Sequence, residues 1–244
     1  MASRWEEIKV DNNPMKLYIS HPDGAGPFPA VVVIQHQGGV DPFMEEMTER
    51  VAAAGYFAVC PDLYHRDGAD CTDDGPTRRS RLRDSTVIKD VNATVDFLKG
   101  QRLVNGERLG IVGFCMGGRV AYLVAAANPG FSASVPYYGG NIFTAWGEGP
   151  SPFERTAEIH CPIQGHFGEE DKNPSPEDMR KLDAELTKFG KPHEFYSYAG
   201  AGHAFVDRHG SKYNAPADQA SWPRTLDFFR RHLVEVAPKR AAAS

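Results

Sequence analysis

Short β-branched runs alternate with amphipathic stretches along almost the whole chain, and a chain patterned this way has few means of burying its apolar residues. Ala30-Val31-Val32-Val33-Ile34, bounded by Pro29 and Gly38-Gly39, reads as a buried strand. Residues 42–54 read as a helix with Phe43, Met47, Val51 and Ala54 on one face and Gly55 as the stop. Further strands are predicted over 56–60, 109–114, 134–138, 159–167 (with Pro162 as an early interruption) and 193–198. Helices are predicted over 87–98, 117–127, 176–189 and 216–233; Leu226, Phe229 and Leu233 should face inward in the last. Such alternation implies an α/β fold, a mostly parallel sheet with helices on both faces. Trp5–Val10 and Lys16–Ser20 could add an antiparallel edge. No linker interrupts the pattern, so residues 1–244 are expected to form one domain.

Two segments break the rhythm. Residues 62–84 are loop-like and rich in Asp and Arg; residues 139–157 are rich in Gly, Pro and aromatics. Long irregular segments in compact α/β domains are often binding loops, and as often plain insertions. Low complexity is confined to the tail, Ala241-Ala242-Ala243-Ser244.

Composition removes several function classes. The 27 Lys+Arg against 32 Asp+Glu give a net charge of −5, and no basic block stands out, which argues against nucleic acid as a partner. No apolar run approaches the roughly 18 residues of a membrane span. Met1-Ala2-Ser3-Arg4-Trp5-Glu6-Glu7 has no apolar segment behind it, so no secretory signal is read and a cytoplasmic location is expected. Cys60, Cys71, Cys115 and Cys161 form no Cys-x-x-Cys pair, which leaves neither a zinc nor a redox motif. In a reducing compartment all four should be free thiols.

One of the four differs from the rest. In Leu109-Gly110-Ile111-Val112-Gly113-Phe114-Cys115-Met116-Gly117-Gly118 a strand runs into Gly-x-Cys-x-Gly and a helix begins at once. This is the nucleophile-elbow pattern with Cys in place of Ser. Glycines two residues either side are needed because side chains there would collide with the neighbouring strand and helix. The turn lifts the sulfur over the end of the sheet and sets it at a helix N-terminus, where thiolate is favoured.

A cysteine nucleophile needs a base, and the base an orienting carboxylate. Of nine histidines, His203 lies in the Gly-rich stretch Ala199-Gly200-Ala201-Gly202-His203, just after the last predicted strand. His21, His65, His193 and His232 sit in polar or helix-end contexts and are expected to be solvated, whereas His160 and His166 flank a strand as structural residues. Asp171 follows the strand ending at Phe167 and is the first choice of acid, with Glu169 or Glu170 as alternatives. The order Cys115, Asp171, His203 is that of α/β-hydrolases.

Gly113-Phe114-Cys115-Met116-Gly117-Gly118, Pro61-Asp62-Leu63-Tyr64 and Ala201-Gly202-His203-Ala204-Phe205 resemble the signatures of the dienelactone hydrolase family. Tyr137-Tyr138-Gly139-Gly140 and Arg224-Thr225-Leu226-Asp227-Phe228-Phe229 extend the resemblance, which covers roughly residues 10 to 235. It implies a single-domain α/β-hydrolase fold and a thiol hydrolase that opens unsaturated lactones of the carboxymethylenebutenolide type, with no metal and no organic cofactor. The triad would be Cys115, Asp171 and His203, and the oxyanion hole the backbone amides of Met116 and Gln37.

The chain also departs from the family. Where the family carries a Glu that touches the resting thiol, this sequence has His36; where it carries an Arg shortly after the triad His, this sequence has Asp207, with Arg208 beside it. Arg78 and Arg81, in the charged segment, are further candidates for holding a substrate carboxylate, and Tyr138, Trp146 and Phe43 for pocket walls. The expected partner is a small lactone or ester, acted on by a monomer or small homo-oligomer. A broad carboxylesterase or thioesterase is the competing enzyme, and a non-catalytic binding protein of the same fold the third reading.

Overall fold

The computed structural model describes residues 1–68 and 70–235; the low-complexity tail 241–244 lies outside them. Eight strands form one sheet: β1 (Ala2–Val10), β2 (Asn13–His21), β3 (Phe28–Ile34), β4 (Phe57–Pro61), β5 (Val104–Phe114), β6 (Phe131–Tyr137), β7 (Ile163–Gly168) and β8 (His193–Tyr198). Six helices accompany them: α1 (Pro42–Ala53), α2 (Gly75–Arg81), α3 (Asp84–Lys99), α4 (Met116–Ala127), α5 (Pro176–Lys188) and α6 (Ala215–Phe229). The spatial order is β1-β2-β4-β3-β5-β6-β7-β8. β1 and β2 form an antiparallel hairpin, β2 runs antiparallel to β4, and the remaining strands are parallel. Asp11 and Asn12 make the hairpin turn at positive φ, which short polar side chains tolerate.

Successive residues of the central strands serve opposite faces. Ala30, Val32, Ile34 and Ile111 pack under α3, α4 and α5, whereas Val31, Val33, Val112 and Phe114 pack under α1 and α6. The single-domain, doubly covered α/β sheet expected from the sequence is therefore the fold.

The main departures are local. The charged segment is not all loop: a short 3-10 turn spans His65–Asp67, and Asp74 caps α2 by accepting from the Thr77 amide at 2.9 Å. β7 begins at Ile163, because Pro162 has no amide to give a ladder. The last helix loosens into a π-helical turn at Arg230–Val234, and Phe228 and Phe229 are fully buried beside a half-buried Leu226. Segment 139–157 is irregular apart from a 3-10 turn at Thr156–Glu158.

The topology fixes where a ligand can sit. After β3 the chain turns outward to β4; after β5 it turns the other way to β6. Loops therefore diverge at the carboxyl ends of β3 and β5, the crevice where open α/β sheets bind ligands.

Candidate active site

Cys115 stands in that crevice, between the end of β5 and α4, with φ 56° and ψ −116°. Its neighbours explain why only glycine serves around it. A Cβ on Gly113 would lie 1.9 Å from the Gly117 carbonyl oxygen, and one on Gly117 would lie 2.2 Å from that of Ile34. The Cys115 amide is held by the Tyr137 carbonyl of β6 at 3.1 Å. The backbone is thus locked in a conformation L-residues rarely adopt, and the side chain projects beyond the sheet.

His203, in the turn after β8, brings its ring to the sulfur. Its Nδ1 bonds Asp171 Oδ2 at 2.8 Å, and the thiol forms the ring's second hydrogen bond. Asp171 follows β7, is buried, and also accepts from the Asn173 amide at 2.9 Å. Of the alternative acids, Glu169 bonds the Ser197 hydroxyl at 3.0 Å and Glu170 points into solvent. Tyr138 packs its ring 5.2 Å from the imidazole, and Phe205 packs on Tyr138.

Burial would raise the Cys115 pKa, but the bond to His203, its charge, the Met116 amide on the sulfur and the charge of His36 outweigh it and leave the thiol below its ordinary value. Burial likewise opposes a charge on His203, yet the bonds to Asp171 and Cys115 carry its pKa up to about 9. Both shifts favour thiolate beside imidazolium. The other thiols are placed differently. Burial pushes Cys161 up to about 12 and Cys60 well above its usual range, and Cys71 lies in the charged segment against Asp73 and Arg81.

A cavity of about 260 Å³ opens over the sulfur, lined by Gln37, Arg79, Cys115, Met116, Gly140, Asn141, Trp146, Asp171, Lys172, Asn173 and His203. Gln37 and Met116 thus face each other across the nucleophile position, with the Gln37 carbonyl pinned by the Tyr64 hydroxyl at 3.0 Å. A larger cavity of about 690 Å³ lies beside the β1–β2 hairpin, lined by Trp5, Lys16, Gly38, Asp62 and Arg78 among others. It holds no nucleophile beside a base, so size does not locate the chemistry.

Several sequence candidates lie elsewhere. Arg78 stacks over Tyr64 at 4.3 Å and bonds Asp67 at 2.9 Å, and Arg81 bonds Asp67 and Asp73. On a helix, residues 78 and 81 share a face that Arg79 does not, and it is Arg79 that lines the cavity. Arg208 is also corrected: with Arg50 and the Tyr213 hydroxyl it neutralises the buried Asp218, bonding it at 2.9 Å, and does not reach the cavity. Phe43 is core, packed between His36 and Phe114, and Tyr138 supports His203 without lining the cavity; Trp146 does line it. His65 is buried against Asp90 at 3.2 Å, not solvated. His21 stacks on Phe57, and His166 lies within β7, fully buried.

Sequence reasoning missed Arg79, Asn141, Lys172 and Asn173 as cavity residues, and Arg119 as the residue that secures the loop above it. Arg119 is fully buried on α4. It binds both Asp84 oxygens at 2.6 and 3.0 Å and the carbonyls of Asn141 and Thr144, and it lies 3.7 Å from the Trp146 ring centroid. Its place one turn after Cys115 on α4 was the available signal. Among the described residues no cluster of His, Cys, Asp and Glu could hold a metal ion, and no helix is long and apolar enough to cross a membrane.

Comparison with known proteins agrees with the site. The profile of the Dienelactone hydrolase family matches residues 15–233. A protein of Methylorubrum extorquens (strain AM1), named on inference as a carboxymethylenebutenolidase, is 32% identical over 234 residues, covering 93% of this chain and 80% of that one. A Bradyrhizobium protein, named on inference as a 2-oxo-3-(5-oxofuran-2-ylidene)propanoate lactonase, is 29% identical over 238 residues and covers 96% of each chain. The crystal structure of a protein from Klebsiella pneumoniae subsp. pneumoniae MGH 78578, identified on inference as a dienelactone hydrolase, superimposes with a TM-score of 0.86. That structure shares 27% identity and covers 94% of this chain and 98% of its own. The chain belongs to the dienelactone hydrolase family and is a hydrolase acting on esters.

Proposed function

We propose that this enzyme opens a lactone or small ester through a thioester on Cys115. The observation that carries the reading is the unbroken line of hydrogen bonds from the sulfur through His203 to Asp171, under a cavity at the sheet's switch point. In this mechanism the Cys115 thiolate attacks the carbonyl carbon, and the carbonyl π electrons move onto oxygen. The amides of Met116 and Gln37 receive that oxyanion. As the intermediate collapses, the C–O bond breaks and His203 gives its proton to the leaving alkoxide. His203 then takes a proton from water, hydroxide attacks the thioester, and the acid leaves as the thiolate re-forms. Asp171 holds the imidazole in the tautomer that both transfers need.

Arg79 and Lys172 line the same cavity, which favours a substrate with a negative group over a neutral ester. We place the enzyme in the cytoplasm, where its four free thiols would persist, acting as a monomer or small homo-oligomer on small molecules and not on nucleic acid. The test is a hydrolysis assay on an anionic unsaturated lactone beside a panel of neutral short-chain esters. Cys115→Ala should lose about 10³-fold or more in kcat. Activity surviving that change would sink the mechanism, and equal turnover of the neutral esters would make the enzyme a broad carboxylesterase instead.

A further inference from the structure

A second imidazole is built against the same sulfur. His36 leaves β3 on a segment whose Ile34 and Gln35 carbonyl oxygens would lie 2.2 and 2.7 Å from a Cβ on Gly117, so it abuts the first turn of α4. The His36 ring meets Phe43 edge-on at 5.4 Å, and Phe43 meets Phe114, the residue before Cys115, at 5.5 Å. The side chain is only 19% exposed, and its Nε2 bonds Asp41 Oδ2 at 2.7 Å. Asp41 is itself fixed, because its other oxygen caps α1 by accepting from the Met44 amide at 3.1 Å.

The charged groups that face the ring are Asp41 on the α1 cap, Cys115 at the elbow and Asp207 on the loop after His203. All are acids. Burial disfavours a charge on the ring, but the bond to Asp41 and these three negative neighbours outweigh it and hold the His36 pKa above its ordinary value. Asp41 can do this where a lone carboxylate in solvent could not, because the pair is partly withdrawn from water.

We propose that His36, held as an imidazolium by Asp41, is a positioning residue that keeps the Cys115 sulfur ionised in the resting enzyme, alongside His203. The proposal rests on Cys115 being the nucleophile. His36 acts through the sulfur's charge and transfers no proton in the cycle; Asp41 is what makes its charge permanent near neutrality. The site thus has two imidazole–carboxylate pairs with different tasks. His203–Asp171 moves protons, and His36–Asp41 sets the electrostatic ground on which the thiol ionises.

The experiment is the rate of iodoacetamide alkylation of Cys115, located by peptide mass spectrometry, from about pH 5 to pH 10, with hydrolysis measured in parallel. The wild type is compared with His36→Gln, His36→Lys, Asp41→Asn and Cys115→Ala. The alkylation midpoint of His36→Gln should rise by about half to one pH unit. Asp41→Asn, which keeps the helix cap, should shift it the same way by less. His36→Lys keeps the charge and should stay near wild type. An unmoved midpoint in His36→Gln overturns the proposal even if hydrolysis falls, since that pattern marks a merely structural role. If His36→Gln does not fold, an unmoved midpoint in Asp41→Asn does the same. Hydrolysis surviving in Cys115→Ala would instead remove the nucleophile reading, and the proposal with it.

Discussion

At the scale of single residues the site depends on what its neighbours lack. Cys115 can stand at φ 56° because Gly113 and Gly117 let strand, elbow and helix approach to distances no side chain permits. Gly117→Ala would push a methyl group into the Ile34 and Gln35 carbonyls, which belong to backbone and cannot swing aside. The β3 exit would have to move, and with it Gln37 and the oxyanion position. Gly117→Ala should therefore cost about 2 kcal/mol or more in urea unfolding and most of the hydrolytic activity. Gly100 is the control. It closes α3 with φ −80° and its added Cβ would meet nothing nearer than 3.4 Å, so Gly100→Ala should leave both readouts near wild type. Equal losses at the two positions would show that the elbow's close contacts do not set its stability.

At the scale of elements, Arg119 ties three pieces together: it lies on α4, binds Asp84 at the start of α3, and holds the carbonyls of segment 139–157. Both partners of the ion pair are buried, and Trp146 covers the guanidinium from the cavity side. Arg119→Met should cost about 3–5 kcal/mol because it leaves Asp84 charged and buried without a partner. The double variant with Asp84→Asn should recover part of that loss in a double-mutant cycle; strict additivity would deny the coupling. This clamp was not legible in the sequence, since nothing local marks residues 84, 119 and 144 as neighbours. The strands and the larger helices were legible because they bury one face, and Val87, Val91, Val95 and Leu98 are all buried as their spacing requires. α2 escaped for the opposite reason. None of its residues is buried, so it leaves no apolar period, and only Asp74 before Pro76 marked its start. Taking the segment as loop then hid which arginine faces the sulfur, because a loop has no faces to separate Arg79 from Arg78 and Arg81. Cys115, Asp171 and His203 were legible because each follows a strand whose own pattern was clear.

At the scale of the whole molecule, the sheet's carboxyl edge is knitted under the site by a buried network centred on His166. Its Nδ1 meets the Tyr198 hydroxyl at 2.8 Å, and its Nε2 meets Gln164 Oε1 and Thr225 Oγ1, both at 3.0 Å. The ring stacks on Tyr137 at 4.3 Å, and its backbone carbonyl takes the amide of Tyr138, which backs His203. β6, β7, β8 and α6 all contribute, so protonating this ring strains the floor of the active site as well as the fold. Burial, with help from the charge of Arg224, drives the His166 pKa down to about 3 from an ordinary 6.5. The sign follows: between those values the unfolded chain binds a proton that the folded one refuses, so stability is full above about pH 6.5 and falls as the pH drops. The slope from this one group is about 1.4 kcal/mol per pH unit. His232, lowered by burial and by Arg231, adds to it, whereas a histidine held above its ordinary value, such as His203, is already protonated in both states there. Carboxylates with lowered values enter only below about pH 4.5, which leaves a window from pH 6.5 to 4.5 that the histidines own. Urea unfolding across that window should show the wild type losing stability steadily. His166→Gln can keep part of the bonding without titrating, so it should start less stable at neutral pH and lose less per unit, with a slope smaller by about 1.4 kcal/mol per pH unit. Parallel slopes would mean that His166 takes up its proton inside the fold, and that the edge beneath the triad is open to water.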